Sequence, residues 1–229
     1  MNRTLVIGDI HGCSRALETL LREVKPNPDD VLITLGDYVD RGPDTRGVMD
    51  RLIGLESETQ LVPLIGNHEM LFLREWKDDC LTGPWMNVGG RETLESYAGD
   101  REISWDHVSE EHRTFLAERC QRYHETDTHF FVHGGVDPRL PLKDQSDECL
   151  LWKRFEESEP HSSGKTMVCG HSAQRSGLPL RTPGCVCIDT WAYGQGWLSC
   201  LIIEFGLIVQ ANQKGHTRRF SLDHTPMMG

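Results

Sequence analysis

Two acidic residues and an arginine follow an apolar stretch near the amino terminus. Asp37, Asp40 and Arg41 lie in Gly36–Gly42, directly after the aliphatic and β-branched run Val31–Leu35, which predicts a buried strand. Carboxylates placed there could bind a metal ion or orient a base, and a guanidinium could bind an anion. Taken alone, the segment is also compatible with an acidic surface loop. Its position at the carboxyl end of a strand is where open α/β sheets carry their chemistry.

Polar residues also follow four other predicted strands. Gly8–Gly12 and Gly66–Glu69 each lie between an apolar run and a helical pattern, as Gly36–Gly42 does. Because parallel strands end at one sheet edge, we expect these loops to lie side by side. Two metal ions bridged by a shared carboxylate need oxygen and imidazole ligands from several strand ends. The candidates are Asp9, His11, Asp37, Asn67, His133 and His171.

Other possible ligands do not form a second cluster in the sequence. We expect solvated side chains for seven histidines in charged, helical or carboxyl-terminal surroundings: His107, His112, His124, His129, His161, His216 and His224. The eight cysteines are scattered, and only Cys185 and Cys187 are close together. Without a second pair to complete a zinc site, they are expected to be free, mostly buried thiols.

Length and charge limit the class of protein. A chain of 229 residues with 38% apolar content fits one α/β domain. The net charge of −11 argues against a broad nucleic-acid surface, which needs clustered lysine and arginine. No apolar run reaches the roughly 20 residues of a membrane helix, and no leader pattern opens the chain. We expect a soluble, cytoplasmic protein that binds neither nucleic acid nor membrane, of undetermined oligomeric state.

The patterns of the chain predict the elements that hold these loops. Strands are expected at Thr4–Ile7, Val31–Leu35, Leu61–Ile65, Phe130–Val132 and Thr166–Cys169, and helices at Ser14–Val24, after Pro43, after Gly66 and at Ser109–Cys120. Gln121–Thr126 and Phe130–Val132 predict a hairpin around Asp127, and Cys185–Asp189 and Trp197–Asn212 predict antiparallel strands around Gly194–Gly196. We expect one domain at 1–212 with a helical insertion at about 74–105, then a loose polar tail at 213–229. Within the insertion, Trp85–Tyr97 is either a substrate lid or a packed cap.

The ordered motifs resemble those of the PPP-type serine/threonine phosphoprotein phosphatases. They are Gly-Asp-Ile-His-Gly at 8–12, Gly-Asp-Tyr-Val-Asp-Arg-Gly at 36–42, Gly-Asn-His-Glu at 66–69, His-Gly-Gly at 133–135 and Gly-His at 170–171. Leu150–Arg154, the Trp85–Tyr97 insertion and Ile188–Thr190 are similar to the bacterial and phage branch. The resemblance implies a calcineurin-like metallophosphoesterase fold, an α/β (α+β) class with a central mixed β-sandwich flanked by helices.

The resemblance also implies a dinuclear metal centre. Asp9, His11 and Asp37 match the ligands of the first ion, and Asp37, Asn67, His133 and His171 match those of the second, so that Asp37 is the bridge. The implied cofactor is two divalent ions per chain. Manganese is expected, although mixed nitrogen and oxygen ligands also suit iron, zinc and cobalt.

Four further residues match catalytic positions of the family. His68 matches the acid that protonates the leaving group, and Asp40 matches its partner. Arg41 and Arg154 match the phosphate clamps, and Asn67 is also expected at the substrate phosphate. The implied reaction is in-line attack by a hydroxide that bridges the two metals.

Three functions follow from these residues. The first is hydrolysis of phosphoserine and phosphothreonine in proteins or peptides, with some activity on small phosphate esters. The second is diadenosine tetraphosphate hydrolysis, although those relatives typically have alanine where Asp40 stands. The third is a non-catalytic phosphate-binding scaffold, which the complete set of ligands disfavours. Trp191, which replaces a glycine of the bacterial relatives, is expected to narrow the substrate groove.

Overall fold

Eleven strands form two mixed sheets within residues 2–228, the part of the chain that the computed structural model describes. The first sheet runs β11 (Thr217–Ser221), β10 (Leu207–Ala211), β9 (Leu198–Ile202), β1 (Thr4–Ile7), β2 (Val31–Thr34) and β3 (Gln60–Pro63). The second runs β4 (Tyr123–Glu125), β5 (His129–Val132), β6 (Thr166–Cys169), β8 (Cys185–Cys187) and β7 (Leu180–Thr182). Ile33 and Ile208 of the first sheet share a buried layer with Phe131 and Val168 of the second. The predicted mixed β-sandwich flanked by helices is confirmed.

Strands β1, β2 and β3 are parallel, and each leads through a loop into a helix. The helices are α1 (Ser14–Val24), α2 (Thr45–Leu55) and α3 (Asn67–Lys77). Ile7 pairs with Thr34, and Thr34 pairs with Pro63, so the three strands end at the same level. The three polar loops therefore meet at one edge of the sheet, as the sequence predicted.

Alternation along β1 divides the core into two layers. Val6 faces the second sheet, whereas Leu5 and Ile7 face the helices, because successive strand side chains point to opposite faces. Leu17 of α1 and Leu52 of α2 pack on that outer face and are fully buried. Each such leucine contributes about 1.5–3 kcal/mol relative to an exposed one. This packing fixes the strand ends from which the candidate ligands project.

Residues 74–105, which the sequence predicted as a helical insertion, are mostly helical and pack against the protein. After α3 it contains a 3-10 turn (Pro84–Asn87), α4 (Gly90–Ala98) and a second 3-10 turn (Trp105–His107). Trp85 stacks on Trp105 with ring centroids 5.3 Å apart. Trp85 and Tyr97 are buried, as in a packed cap, whereas Val88 of the same stretch is exposed and lines a cavity beside Arg41 and His68.

The middle of the chain has the elements that the sequence predicts, but two histidines there are buried and not solvated. Strands β4 and β5 form the predicted hairpin, and α5 (Glu110–Thr114) continues as a π-helical turn to Arg119, followed later by α6 (Asp147–Trp152). The expectation that His112 and His161 are solvated is wrong. His112 is buried between Tyr97 and Asp50, and His161 bonds Ser163 and a backbone carbonyl, because these ring nitrogens find partners inside the fold.

The carboxyl-terminal third differs from the prediction in two respects. Strand β8 does not pair with β9; it lies in the second sheet between β6 and β7, while β9 and β10 form the antiparallel pair. The residues expected as a loose tail form β11 at the edge of the first sheet, followed by a 3-10 turn (Leu222–His224). An edge strand exposes one face, and therefore its sequence is polar.

Two sequence expectations concern cysteines and membrane helices. All eight cysteines are free thiols, as predicted. Among residues 2–228, none of the helices combines the length and the apolar character that crossing a bilayer requires.

Candidate active site

The six candidate ligands converge at the ends of β1, β2, β5 and β6 and at the start of α3. Five of them are almost completely buried and His171 is partly exposed: Asp9, His11, Asp37, Asn67, His133 and His171. Two groups of side chains could each hold an ion. One is His11, Asp37 and His68, and the other is Asp37, His133 and His171, whereas Asp9 belongs to neither group. Asp37 belongs to both groups.

The two oxygens of Asp37 face different histidines. Oδ2 lies 3.3 Å from Nε2 of His11, and Oδ1 lies 3.4 Å from Nε2 of His133. In both histidines the other ring nitrogen, Nδ1, lies within hydrogen-bond distance of a backbone carbonyl: Val39 at 2.8 Å and Leu35 at 2.9 Å. A carbonyl only accepts hydrogen bonds, so Nδ1 carries the proton and Nε2 presents a lone pair. These lone pairs and the Asp37 carboxylate suit a cation on each side of Asp37.

Asn67 adds an oxygen to the second group. Its Oδ1 lies 2.9 Å from Nε2 of His133 and 3.0 Å from Nδ1 of His171. Burial lowers the pKa of His133, and burial together with the nearby His133 lowers the pKa of His171 to about 4. Both imidazoles are therefore neutral at pH 7, the form that binds metals.

Asp9 adds a second buried carboxylate near Asp37. Burial, and then the charges of Asp189 and Asp37, raise the pKa of Asp9 well above its usual range. The backbone N–H of His171 donates to both Asp9 oxygens, at 3.0 and 3.2 Å, and a Cβ on Gly170 would clash with that carboxylate. A bound cation would relieve the repulsion among these acids. The donor set and the tautomers fit the two divalent ions that the sequence implied.

His68 and Asp40 form a buried pair beside this cluster. Nδ1 of His68 lies 2.6 Å from Oδ2 of Asp40, and that carboxylate also accepts hydrogen bonds from Trp85 Nε1 at 2.7 Å and Thr93 Oγ1 at 2.8 Å. Burial lowers the pKa of His68, but Asp37 and Asp40 outweigh it and leave that pKa raised. Asp40 thus orients the imidazole and favours its protonated form.

Arg41 lies between the cluster and a cavity. Its guanidinium donates to Nε2 of His11 at 3.0 Å and to Nε2 of His68 at 2.9 Å, and it stacks 4.7 Å from the Tyr193 ring centroid. One lone pair cannot serve a guanidinium and a metal together, so metal binding at His11 requires that Arg41 turn away. The cavity, of about 500 Å³, is the space into which it can turn.

The cavity collects the phosphate-binding candidates. Its lining includes Asp37, Arg41, Asn67, His68 and Arg154, with Arg154 largely exposed. The arginines face the same space as the acid–histidine pair, which is the arrangement that binding of a phosphoryl group beside an acid requires.

Sequence reasoning missed several residues of the site. Glu69 is fully buried and accepts four backbone N–H groups that shape the Asp37 loop, those of Asp37, Tyr38, Val39 and Gly66. Its place in the Gly-Asn-His-Glu motif was the available signal. Tyr193 and Arg175 line the cavity, whereas Trp191, expected to narrow it, instead lies under the Arg175 guanidinium at 5.5 Å. No local pattern of the sequence marks Tyr193 or Arg175.

The backbone at Trp191 has a conformation that favours glycine. Its φ is +64°, in the left-handed region that glycine enters without steric cost. The stacking on Arg175 and close packing on Gly194 hold the tryptophan in this conformation.

Two curated relatives match parts of this chain. A serine/threonine-protein phosphatase 1 of Salmonella typhimurium is 42% identical over 86 residues, which is 37% of this chain and 38% of the relative. A symmetrical bis(5'-nucleosyl)-tetraphosphatase of Pseudomonas fluorescens is 28% identical over 148 residues, 61% of this chain and 44% of the relative. The matched segments thus span less than half of either curated relative.

Structural similarity extends over the whole chain. A solved structure provisionally described as a diadenosine tetraphosphatase aligns with a TM-score of 0.66 at 21% identity, covering 99% of this chain and 95% of the other. At that identity the likeness shows the fold. The family model of the calcineurin-like phosphoesterases matches residues 2–194. The chain therefore belongs to the calcineurin-like phosphoesterase family.

Proposed function

We propose that this protein is a divalent-metal-dependent phosphomonoesterase that acts on phosphoserine and phosphothreonine in proteins or peptides. The observation that carries the proposal is the buried contact of 2.6 Å between His68 Nδ1 and Asp40 Oδ2 at the wall of an arginine-lined cavity. A serine or threonine alkoxide is a poor leaving group and needs a proton as the P–O bond breaks. A histidine held by a carboxylate is suited to supply it.

The metal ligands of the proposal are Asp9, His11, Asp37, Asn67, His133 and His171. Bound divalent ions would supply an activated water and offset charge on the phosphoryl oxygens. Residues of the chain bind and orient the substrate. Arg41 and Arg154 bind the phosphoryl oxygens and hold the ester in line, and Asn67 lines the same cavity.

Proton movement at His68 completes the proposed reaction. Nε2 of His68, which accepts from Arg41 in this structure, becomes available when Arg41 turns to the phosphate. It can then carry a proton to the leaving oxygen, while Asp40 stabilises the imidazolium at Nδ1.

A second candidate function is hydrolysis of a dinucleoside tetraphosphate. The Pseudomonas relative, which carries that name, matches the larger share of this chain, and Arg175 adds a third guanidinium to the cavity. A nucleotide leaving group departs with little proton assistance, so this reaction would make less use of the buried Asp40. The His68–Asp40 pair favours the monoester.

One comparison tests the proposal. Initial rates on a phosphothreonine peptide and on diadenosine tetraphosphate are measured with the same divalent ion. We expect the higher kcat/KM on the peptide. A higher value on the dinucleotide would establish the second candidate instead, and no turnover of either substrate with two ions bound would indicate a non-catalytic phosphate-binding protein.

A further inference from the structure

A buried carboxylate with one unused oxygen lies beside the candidate metal centre. Asp189 follows β8 and is 1% exposed. Its Oδ1 accepts a hydrogen bond from the backbone N–H of Trp191 at 3.0 Å. Its Oδ2 is also buried, but none of the groups within residues 2–228 donates to it. A buried acceptor without a donor costs about 1–3 kcal/mol, and more if it is charged, so this oxygen calls for a partner from outside the chain.

Backbone packing places Asp189 between two ligand loops. Gly8, which precedes Asp9, packs so tightly on the Ile188–Asp189 peptide that a Cβ there would lie 2.6 Å from the Ile188 carbonyl oxygen. On the other side, the carbonyl of Asp189 accepts the N–H of Gln174 at 2.9 Å, three residues after His171. The carboxylate is thus held on the Asp9 side of the centre.

Electrostatics supports the same placement. The charge of Asp189 is the strongest charge effect on Asp9, where burial and Asp189 together raise the pKa of the Asp9 carboxyl. In their ionised forms the three buried carboxylates of Asp9, Asp37 and Asp189 repel one another, and a cation among them would offset that repulsion. Within residues 2–228, Oδ2 of Asp189 has no hydrogen-bond donor that would offset its burial.

We propose that Asp189 is a positioning residue of the metal centre. Its Oδ2 accepts a hydrogen bond from a water ligand of the cation that Asp9, His11 and Asp37 would hold. The inference rests on the proposed metal-dependent function, but it concerns binding of the ion, which is measurable without a substrate. Residues that orient metal ligands typically change metal affinity by roughly 10- to 100-fold when they are replaced.

The test uses Asp189→Asn with Asp30→Asn as its matched control. Asp30 is also a fully buried aspartate, but its carboxylate pairs with Arg3 before the start of β2, whereas Asp37 lies beyond the other end of that strand. The full-length proteins are freed of metal with a chelator, and MnCl₂ is added in a calorimetric titration. Thermal unfolding is recorded with and without Mn²⁺.

The two substitutions should act in opposite ways. Asp189→Asn should weaken one of the two Mn²⁺ sites by roughly 10- to 100-fold. It should also raise the metal-free Tm, because it removes a like charge. Asp30→Asn should lower the metal-free Tm, because it breaks an ion pair, and should leave both Mn²⁺ affinities unchanged.

Three results would overturn the proposal. If Asp189→Asn binds Mn²⁺ at both sites as tightly as the parent protein does, Oδ2 does not contribute to binding of the ion. A lowered metal-free Tm would assign Asp189 a structural role, as would failure of both Asp189→Asn and the smaller Asp189→Ser to fold. Weakened Mn²⁺ binding in a protein whose parent hydrolyses no phosphate ester would support the inference and reject only the proposed function.

Discussion

Replacement of Asp40 by asparagine should separate substrates by their leaving groups. The fold can accept this change, because the asparagine side chain can keep the contacts of the carboxylate. Its carbonyl oxygen can face His68 and Trp85, and its amide can donate a hydrogen bond to the Thr93 hydroxyl, which can act as an acceptor. The variant therefore keeps the imidazole in place and removes the negative charge behind it. Any loss of activity then reports the charge itself.

The structure sets the size of the effect. A hydrogen bond to a charged group contributes about 1.5–3 kcal/mol, which corresponds to roughly 10- to 150-fold in rate. Complete loss of a general acid in His68→Asn should cost more, about 100- to 10,000-fold. Both losses should apply to alkyl phosphates such as phosphothreonine, whereas p-nitrophenyl phosphate, whose phenolate departs unaided, should be affected far less.

The pH profile should move in a defined direction. Asp37 and Asp40 raise the pKa of His68 against the effect of burial, and the acid acts only while it is protonated. Activity on alkyl esters should fall as pH rises through that pKa. Without the Asp40 charge the pKa drops, so the alkaline fall of Asp40→Asn should begin at lower pH than in the parent.

The assay is kcat/KM for a series of phosphate esters with leaving groups of different pKa. We expect a steeper dependence of log kcat/KM on leaving-group pKa in Asp40→Asn and steeper still in His68→Asn. Asp50→Asn is the control. Oδ1 of Asp50 lies 3.0 Å from Nε2 of the buried His112, and neither residue lines the cavity. Parallel lines for parent, Asp40→Asn and His68→Asn would refute the acid role.

Three other predictions follow from the site and the fold. Asp37→Asn should reduce bound divalent metal from about two ions per chain, measured by elemental analysis; two retained ions with full turnover would contradict the bridge. Arg41→Ala and Arg154→Ala should each raise the inhibition constant of inorganic phosphate, whereas the exposed Arg139→Ala should not; equal constants in all variants would show that neither cavity arginine binds phosphate. Deleting residues 213–229 should lower Tm, because β11 pairs with β10 at five positions; each 1 kcal/mol lost corresponds to roughly 2–4 °C, and an unchanged Tm would contradict a stabilising edge strand.

Local signals explain why most of the site was predictable. Asp9 and Asp37 each lie between a short apolar strand and a helix, and Asn67 begins the helix that follows the next strand. The parallel order of those strands brings the loops together. The distance between the loops along the chain does not matter once the topology is known. His133 and His171 follow strands of the second sheet, and the sequence marked them by those apolar strands and by their glycine neighbours.

Residues brought in by long-range packing could not be predicted. Tyr193 and Arg175 reach the cavity because the loops after β6 and β8 fold over it, and no sequence spacing encodes that approach. The assignment of β8 to the second sheet also depends on pairing with β6 across the sandwich. The edge strand β11 was missed because its exposed face gives it the composition of a tail.

Backbone strain concentrates where the side chains are brought together. Positive φ angles occur at non-glycine residues throughout the ligand loops: His11, Asp37, Asp40, Arg41 and His171. Such conformations cost on the order of 1–3 kcal/mol each and persist only where surrounding contacts determine them. Here the four backbone donors to Glu69 fix the Asp37 loop, and Thr93 accepts the backbone N–H of Asp40 at 2.8 Å. Aspartate and histidine tolerate this region better than most residues, so the types that suit metal chemistry are also types that such turns accept. The glycine-bounded spacing in the sequence thus indicates a strained loop. The hydrogen bonds by which Glu69 and Thr93 stabilise it become visible only in the folded chain.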